Sequence, residues 1–331
     1  MKKLKIQRKL KNFNSNVKTK INNEIKRKGK KGFIWEIIFG FLIFCASAVL
    51  IFVLYIIISA PNFDKDKLYK KEATVIYDKN GVEFARVGQE DRELIEYKDL
   101  PQVYIDALIA TEDSRFFQHN GLDIARFLKA SVGQLVSSKA GGASTITMQL
   151  VKKTYTNGAS KGIAGIIRKF TDIYMAVFKI ESSYTKEEIL EFYSNSLWYA
   201  NGRSINTTGI YGIEQASQHF FGKSVRDLNL AEASLIVGMY QNPRLYNPYN
   251  NPVGCRNRQK VVLKLMVNHG YITEEEMNAV LEIPIESMVA DDSDAVSTND
   301  YQVLIDHVID EVYEKTKKDA RQVPMKIYTT F

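Results

Sequence analysis

From Ile37 to Ala60 the chain runs for 24 residues without a charge and is rich in Ile, Phe, Leu and Val. A helix of that length spans the hydrocarbon core of a bilayer with some tilt, so the segment is read as a transmembrane helix. The chain must therefore divide between the two sides of a membrane. Residues 1–31 hold 13 Lys and Arg against one acidic residue, Glu24, a net of +12, and the chain total of +7 leaves −5 for everything after that tail. The cationic flank stays in the cytoplasm by the positive-inside rule, which puts residues after Pro61 on the outer face. A secretory signal would have a shorter apolar region and a small-residue cleavage site; Ile58-Ser59-Ala60-Pro61 is a poor one, and the helix is read as uncleaved.

The basic run from Lys2 to Lys11 could suggest nucleic-acid binding. Beside a membrane span, attraction to anionic lipid and control of topology explain it better, and no nucleic-acid partner is expected. Cys45 lies in the span and Cys255 outside it, so this topology forbids a bridge between them. The four His residues have no metal-ligand spacing.

After a stalk at 61–73, ATVIYDKNGVEFARV alternates apolar and polar residues about an Asp78-Lys79-Asn80-Gly81 turn, a hairpin signal. From Leu100 onward the periodicity is helical, with capping boxes at Thr185–Glu188 and Thr273–Glu276. The expected class is mainly α. The polar stretch Asp291 to Asn299 reads as a loop, followed by a helix over about Tyr301 to Lys318 and an extended MKIYTTF.

The densest chemistry lies at Ala110–Asp123, ATEDSRFFQHNGLD. Ile105, Leu108, Ile109, Glu112 and Phe116 fall on one helical stripe, placing Glu112 on the apolar face. Such a carboxylate is a candidate proton acceptor or donor near neutral pH. The alternative is a buried structural Glu paired with Arg115 or a backbone group. Three further runs follow in order: GGASTITMQLVKK from Gly141, RKFTDIYMAVFKIE from Arg168 and EEILEFYSN from Glu187. Thr145, Gln149 and Lys152 lie at i, i+4 and i+7, one polar stripe on a helix expected to begin near Ser144 after a Gly141-Gly142 turn. Its free N–H groups would favour an anion; the plainer reading is a solvated face. Arg168, Lys169 and Asp172 share a helical face, either a site or a surface ion-pair cluster.

These four ordered runs, with FFGK at Phe220, LAEASLIVGM at Leu230 and NPRLYNP at Asn242, resemble the family 51 glycosyltransferases, the peptidoglycan transglycosylase domains of class A penicillin-binding proteins and their monofunctional relatives. The similarity runs from about Thr74 to Asn278. It implies a lysozyme-like, mainly helical fold and polymerisation of lipid II into a growing glycan strand at the outer face of the membrane, with release of undecaprenyl pyrophosphate. It also implies that Glu112 is the base, with Asp172 a second catalytic carboxylate. Asp113, Ser144, Thr145, Gln149, Lys152, Arg168 and Lys169 would then bind substrate, Lys152 contacting phosphate; for Asp113, orienting its neighbours or capping is an equal alternative. In the family the position of Asp172 is normally Glu, thought to act near the donor pyrophosphate or a bound divalent cation such as Mg or Mn. Asp keeps the charge and shortens the reach, which bears on rate. Met148 and Lys153 are two further departures.

His119, Gly121 and Asp123 are expected to shape the turn after the catalytic helix, and Asn195 and Glu232 to hold helices by hydrogen bonds. Ser183-Tyr184-Thr185-Lys186 has SxxK spacing without a later SxN or KTG partner and is read as coincidence. Between Phe127 and Ile167 the mixture of apolar residues with Lys129, Lys139 and Lys161 suits a membrane interface or a plain surface loop; the family places a membrane-touching subdomain there. The chain is therefore divided into a basic cytoplasmic tail (1–36), a transmembrane helix (37–60), a stalk (61–73), a glycosyltransferase domain (74–285) and a region (286–331) that in bifunctional relatives leads to a transpeptidase, absent from this sequence. Other cell-wall synthesis proteins are expected partners. Two other functions stay open: a catalytically weak lipid II-binding scaffold, and a glycan hydrolase using Glu112 as acid, against which the cationic site argues.

Overall fold

The computed structural model describes residues 2–64, 66–69, 74–87, 94–136, 142, 144–156, 161–200, 209–290, 302–320, 323 and 325–330. Gly141, Lys139, the Asp291–Asn299 loop, Tyr301 and Phe331 lie outside the described residues. The chain is mainly α, as expected, and forms two units, Met1–Ser59 and Ala60–Phe331.

The first unit is α1 (Lys2–Ser59), broken into two helical stretches at Gly29, whose φ of 74° lies outside the helical region. The stretch Arg27–Ser59 is long and apolar enough to cross a membrane. Trp35, Phe39, Phe41, Phe44 and Ile51 are exposed on it. A helix apolar all round rather than along one stripe suits lipid on every side.

The second unit has two cores. It opens with a short helix α2 (Asp66–Tyr69) and then β1 (Thr74–Tyr77) and β2 (Glu83–Val87), an antiparallel pair. The expected turn joins them: the Asp78 carboxylate accepts the N–H groups of Asn80 and Val82, each at 2.8 Å, and Gly81 takes a φ of 77° that other residues resist.

Helices then follow in succession: α3 (Gln102–Glu112), α4 (Ile124–Val136), α5 (Ile146–Thr154) and α6 (Gly162–Met175), which continues as a π-helical turn at Ala176–Ile180. Next come α7 (Lys186–Ser196), a small hairpin of β3 (Trp198–Ala200) with β4 (Ile210–Tyr211), α8 (Ile213–Phe221), α9 (Leu230–Met239), α10 (Pro252–Asn268) and α11 (Glu274–Glu282). Every residue of α9 from Ala231 to Met239 is buried, so α9 is the axis of the larger core, with α3 and α10 packed against it. Both expected capping boxes are present, and Asn229 with Glu232 adds a third at the start of α9. Asn195 clamps the chain before α3, accepting the N–H of Ile95 at 3.1 Å and donating to its carbonyl at 2.9 Å.

The last described elements are α12 (Gln302–Thr316) and β5 (Lys326–Tyr328). β5 pairs in parallel with β1, giving the sheet order β2-β1-β5. Parallel neighbours need a crossover, and here the whole helical body is that crossover. Ile76, Ala85, Val87 and Ile327 on the sheet pack with Ile305, Val308 and Ile309 of α12 into the smaller core. The Thr74 hydroxyl donates to the Ala320 carbonyl at 2.7 Å and accepts the Met325 N–H at 3.0 Å, which locks the closing segment onto the opening hairpin.

Candidate active site

The expected helical stripe through Glu112 stops at that residue. The N–H of Asp113 makes the last helical bond of α3, to Ile109, and Asp113 itself has φ −156°. Ile105, Leu108 and Ile109 are buried as the period requires, but Phe116 is buried from a separate short turn, Phe116–Gln118. Glu112 is consequently half-buried at the helix end, while Asp113 is fully buried. The chain turns at this point because the Asp113 carboxylate accepts the N–H of Ile146 at 3.1 Å and meets His119 Nε2 at 3.1 Å. Both bonds lie inside the fold, so Asp113 anchors one motif to the next, the orienting role expected as one alternative.

Arg115 does not pair with Glu112. It joins Asp123 at 2.6 Å, and Asp123 also accepts the N–H of Arg126, capping α4. Arg126 donates to the carbonyls of Glu112 at 3.3 Å and Gly142 at 3.0 Å, fixing the backbone on both sides of the turn. Gly121 adopts φ 80°, and a Cβ there would meet the Ala176 carbonyl carbon at 3.0 Å. His119, Gly121 and Asp123 thus shape the turn, as expected.

Helix α5 connects the pieces. It begins at Ile146, two residues later than expected, with Thr145 as its N-cap. The Thr145 hydroxyl accepts the Met148 N–H at 3.2 Å and donates to the Gly121 carbonyl at 2.7 Å. Thr145 is buried and its hydroxyl serves the fold, which corrects its expected place on a substrate-facing stripe. The stripe divides into three surroundings: Thr145 buried, Gln149 half-buried and Lys152 exposed. Gln149 Nε2 donates to Glu112 Oε2 at 2.8 Å, and Tyr193 of α7 donates from its hydroxyl to Gln149 Oε1 at 3.0 Å. Tyr193 was not foreseen as a site residue. It lies within the EEILEFYSN run, but no spacing rule connects it to Gln149.

The cations gather at the other end of the same arrangement. Lys169 Nζ donates to the Ser144 hydroxyl at 3.0 Å. Burial lowers the Lys169 pKa, and Arg168 and Lys152 lower it further, while Asp172 opposes them. Asp172 is 4% exposed and accepts the Thr156 hydroxyl at 2.5 Å. Burial raises its pKa; Thr156 and the charges of Arg168, Lys152 and Lys169 pull the other way. Arg168, Lys169, Lys152 and Asp172 are therefore one electrostatic cluster. Among the described residues no three His, Cys, Asp or Glu side chains converge on one point. Asp172 has cations rather than acids around it, so these residues do not form a protein cage for a divalent ion.

Lys186 of the SxxK run pairs with Glu181 at 2.8 Å and lies 4.2 Å from the centre of the Phe116 ring, while Thr185 caps α7. The run serves packing and capping.

This combination of a half-buried carboxylate, a helix that positions it and an adjacent cationic cluster agrees with the comparisons. A family model described as Transglycosylase matches residues 80–267. The chain belongs to that family, the family 51 glycosyltransferases. It is 33% identical over 313 residues to penicillin-binding protein 1A/1B of Bacillus subtilis (strain 168), covering 92% of this chain and 33% of the relative. It is 36% identical over 299 residues to penicillin-binding protein 1A of Neisseria meningitidis (strain Z2491), covering 89% of this chain and 35% of the relative. A crystal structure of penicillin-binding protein 1A from Haemophilus influenzae aligns with TM-score 0.37 at 23% identity, over 78% of this chain and 26% of that one. The chain thus spans about a third of the length of these relatives.

Proposed function

We propose that this chain is a peptidoglycan glycosyltransferase anchored by α1, with its cationic tail in the cytoplasm and Ala60–Phe331 outside, polymerising lipid II into glycan strands. The observation that carries the reading is the double role of α5. Its Gln149 holds Glu112, and Ser144 and Lys152 at its two ends meet the cluster of Lys169, Arg168 and Asp172. In the proposed step the 4-hydroxyl oxygen of the acceptor sugar attacks the anomeric carbon of the donor. The bond from that carbon to the pyrophosphate oxygen breaks, the hydroxyl proton passes to Glu112, and undecaprenyl pyrophosphate leaves. Glu112 Oε2 is held by Gln149, and among the described residues Oε1 has no hydrogen-bond partner, which suits an approaching hydroxyl. Lys152, Arg168 and Lys169 neutralise charge on the departing pyrophosphate.

Exposed apolar faces support access to a lipid-bound substrate. Ile124, Leu128 and Val132 stand at i, i+4 and i+8 on α4, and Ile163, Ile166 and Phe170 line α6; Phe127 and Phe170 bring the two helices together, ring centres 6.5 Å apart.

A second reading, a lipid II-binding scaffold with little turnover, is favoured by Asp172, which is buried and held by Thr156 where the family carries the longer Glu. The deciding experiment is polymerisation of labelled lipid II by the purified full chain, with and without Mg2+, beside Glu112→Gln. Strands from the parent alone support the transferase; lipid II bound without strands under either condition supports the scaffold.

A further inference from the structure

We propose that the Tyr193 phenol is a positioning residue of this site: by donating to Gln149 Oε1 it holds the amide whose Nε2 donates to Glu112. The inference rests on the transferase reading for its functional meaning, but its physical content is independent of turnover.

An amide has one accepting end and one donating end of nearly the same shape, so its neighbours choose which way it faces. Gln149 stands between Glu112 Oε2 at 2.8 Å and the Tyr193 hydroxyl at 3.0 Å. An ionised carboxylate only accepts. The amide must therefore turn Nε2 to Glu112 and Oε1 to Tyr193, and the phenol must donate. Reversed, the amide would set two acceptors against each other unless Glu112 carried a proton. The carboxylate selects that orientation, and the phenol, which can donate or accept, holds the amide in it by donating to Oε1.

The phenol is built to stay fixed. Tyr193 is 1% exposed, with its ring edge-on to Tyr240 at 6.2 Å and Lys153 Nζ at 5.8 Å from its ring centre. Burial above all, and then the charge of Glu112, hold its pKa well above the ordinary phenol value, so it remains a neutral donor throughout the working range. Tyr193 comes from α7, a third element beside α3 and α5, and packing of α7 on α5 therefore reaches Glu112 through a single hydrogen-bonded amide.

The test uses the full chain and two readouts in Tyr193→Phe, Gln149→Ala and the double variant. Tyr199→Phe, which removes a buried phenol bonded to Tyr240 at 2.8 Å, is the packing control. The first readout is the pH dependence of lipid II polymerisation. The second, which needs no turnover, is carbodiimide labelling of Glu112 against pH, read by peptide mass spectrometry. Tyr193→Phe is expected to lower kcat about tenfold, the effect of one misplaced donor, with little change in KM. It should also change the pH profiles of the rate and of Glu112 labelling from those of the parent, because an amide no longer held by the phenol loosens from the carboxylate. Adding it to Gln149→Ala should change nothing further, and Tyr199→Phe should keep the parent profiles. Unmoved profiles in Tyr193→Phe, or effects that add in full on Gln149→Ala, overturn the relay while strands from the parent still uphold the transferase. A labelling profile changed in Tyr193→Phe with no strands from the parent upholds the relay and overturns the transferase.

Discussion

Asp113 accepts the backbone N–H of Ile146 at 3.1 Å, so the residue next to the proposed base seats the first turn of the helix that positions that base. The acidic pair is divided in function. Glu112, half-buried, meets Gln149, whereas Asp113 turns inward to the α5 N-terminus and His119. Asp113→Ala leaves a buried N–H and a buried imidazole without their acceptor, a loss of about 3 kcal/mol or more. We expect a fall in Tm of several degrees by calorimetry together with loss of activity; an unchanged Tm would remove Asp113 as an anchor.

Glu112→Gln replaces a proton acceptor with an amide of the same size. Polymerisation should fall at least about a hundredfold while lipid II binding and Tm stay near the parent values. Retained turnover in a gel assay of strand length would take Glu112 out of the mechanism.

Thr145 separates capping from binding. Thr145→Val keeps the volume and removes both hydroxyl bonds, to Met148 and Gly121. Destabilisation of about 1–2 kcal/mol is expected in denaturant titration. If stability held and only KM rose, the hydroxyl would face substrate after all.

For Asp172 the sign follows from its surroundings. Burial raises its folded pKa despite Thr156 and the neighbouring cations. A carboxyl raised in the folded state contributes stability that is full below the ordinary carboxylate value and lost as pH rises through the raised one. Asp172→Asn should therefore raise Tm near neutral pH and leave it unchanged below about pH 4. The opposite trend in a pH series of Tm would show that the cations outweigh burial. On activity, a strong gain in Asp172→Glu would place the limit of this chain's chemistry at the missing methylene.

Lys152 is exposed at the end of α5 and is sensed electrostatically by both Asp172 and Lys169. Lys152→Ala should lower kcat/KM roughly ten- to hundredfold, with weaker salt dependence, as expected for one charge-assisted phosphate contact. Equal kinetics in the two proteins would mean that Lys152 is only a solvated face.

What the sequence determined alone is local or periodic. The uncharged run announces α1, the Asp78–Gly81 turn is closed by atoms two and four residues apart, and each capping box joins residues three apart. The ordered runs pointed to the family for a related reason, since each holds its chemistry within a few turns of helix. The tertiary structure decided which side chain of a run meets which side chain of another. Asp113 to Ile146, Gln149 to Glu112 and Tyr193 to Gln149 join residues 33, 37 and 44 apart, and Thr74 meets Ala320 across 246. Periodicity gives the face of a helix but not what lies opposite it. That is why Thr145 read as part of an exposed stripe until the Gly121 carbonyl was seen to cover it, and why no local rule marked Tyr193. The partner of a buried polar group is chosen by packing of whole elements, and only that packing tells Asp113, which seats Ile146, from Glu112, which Gln149 holds.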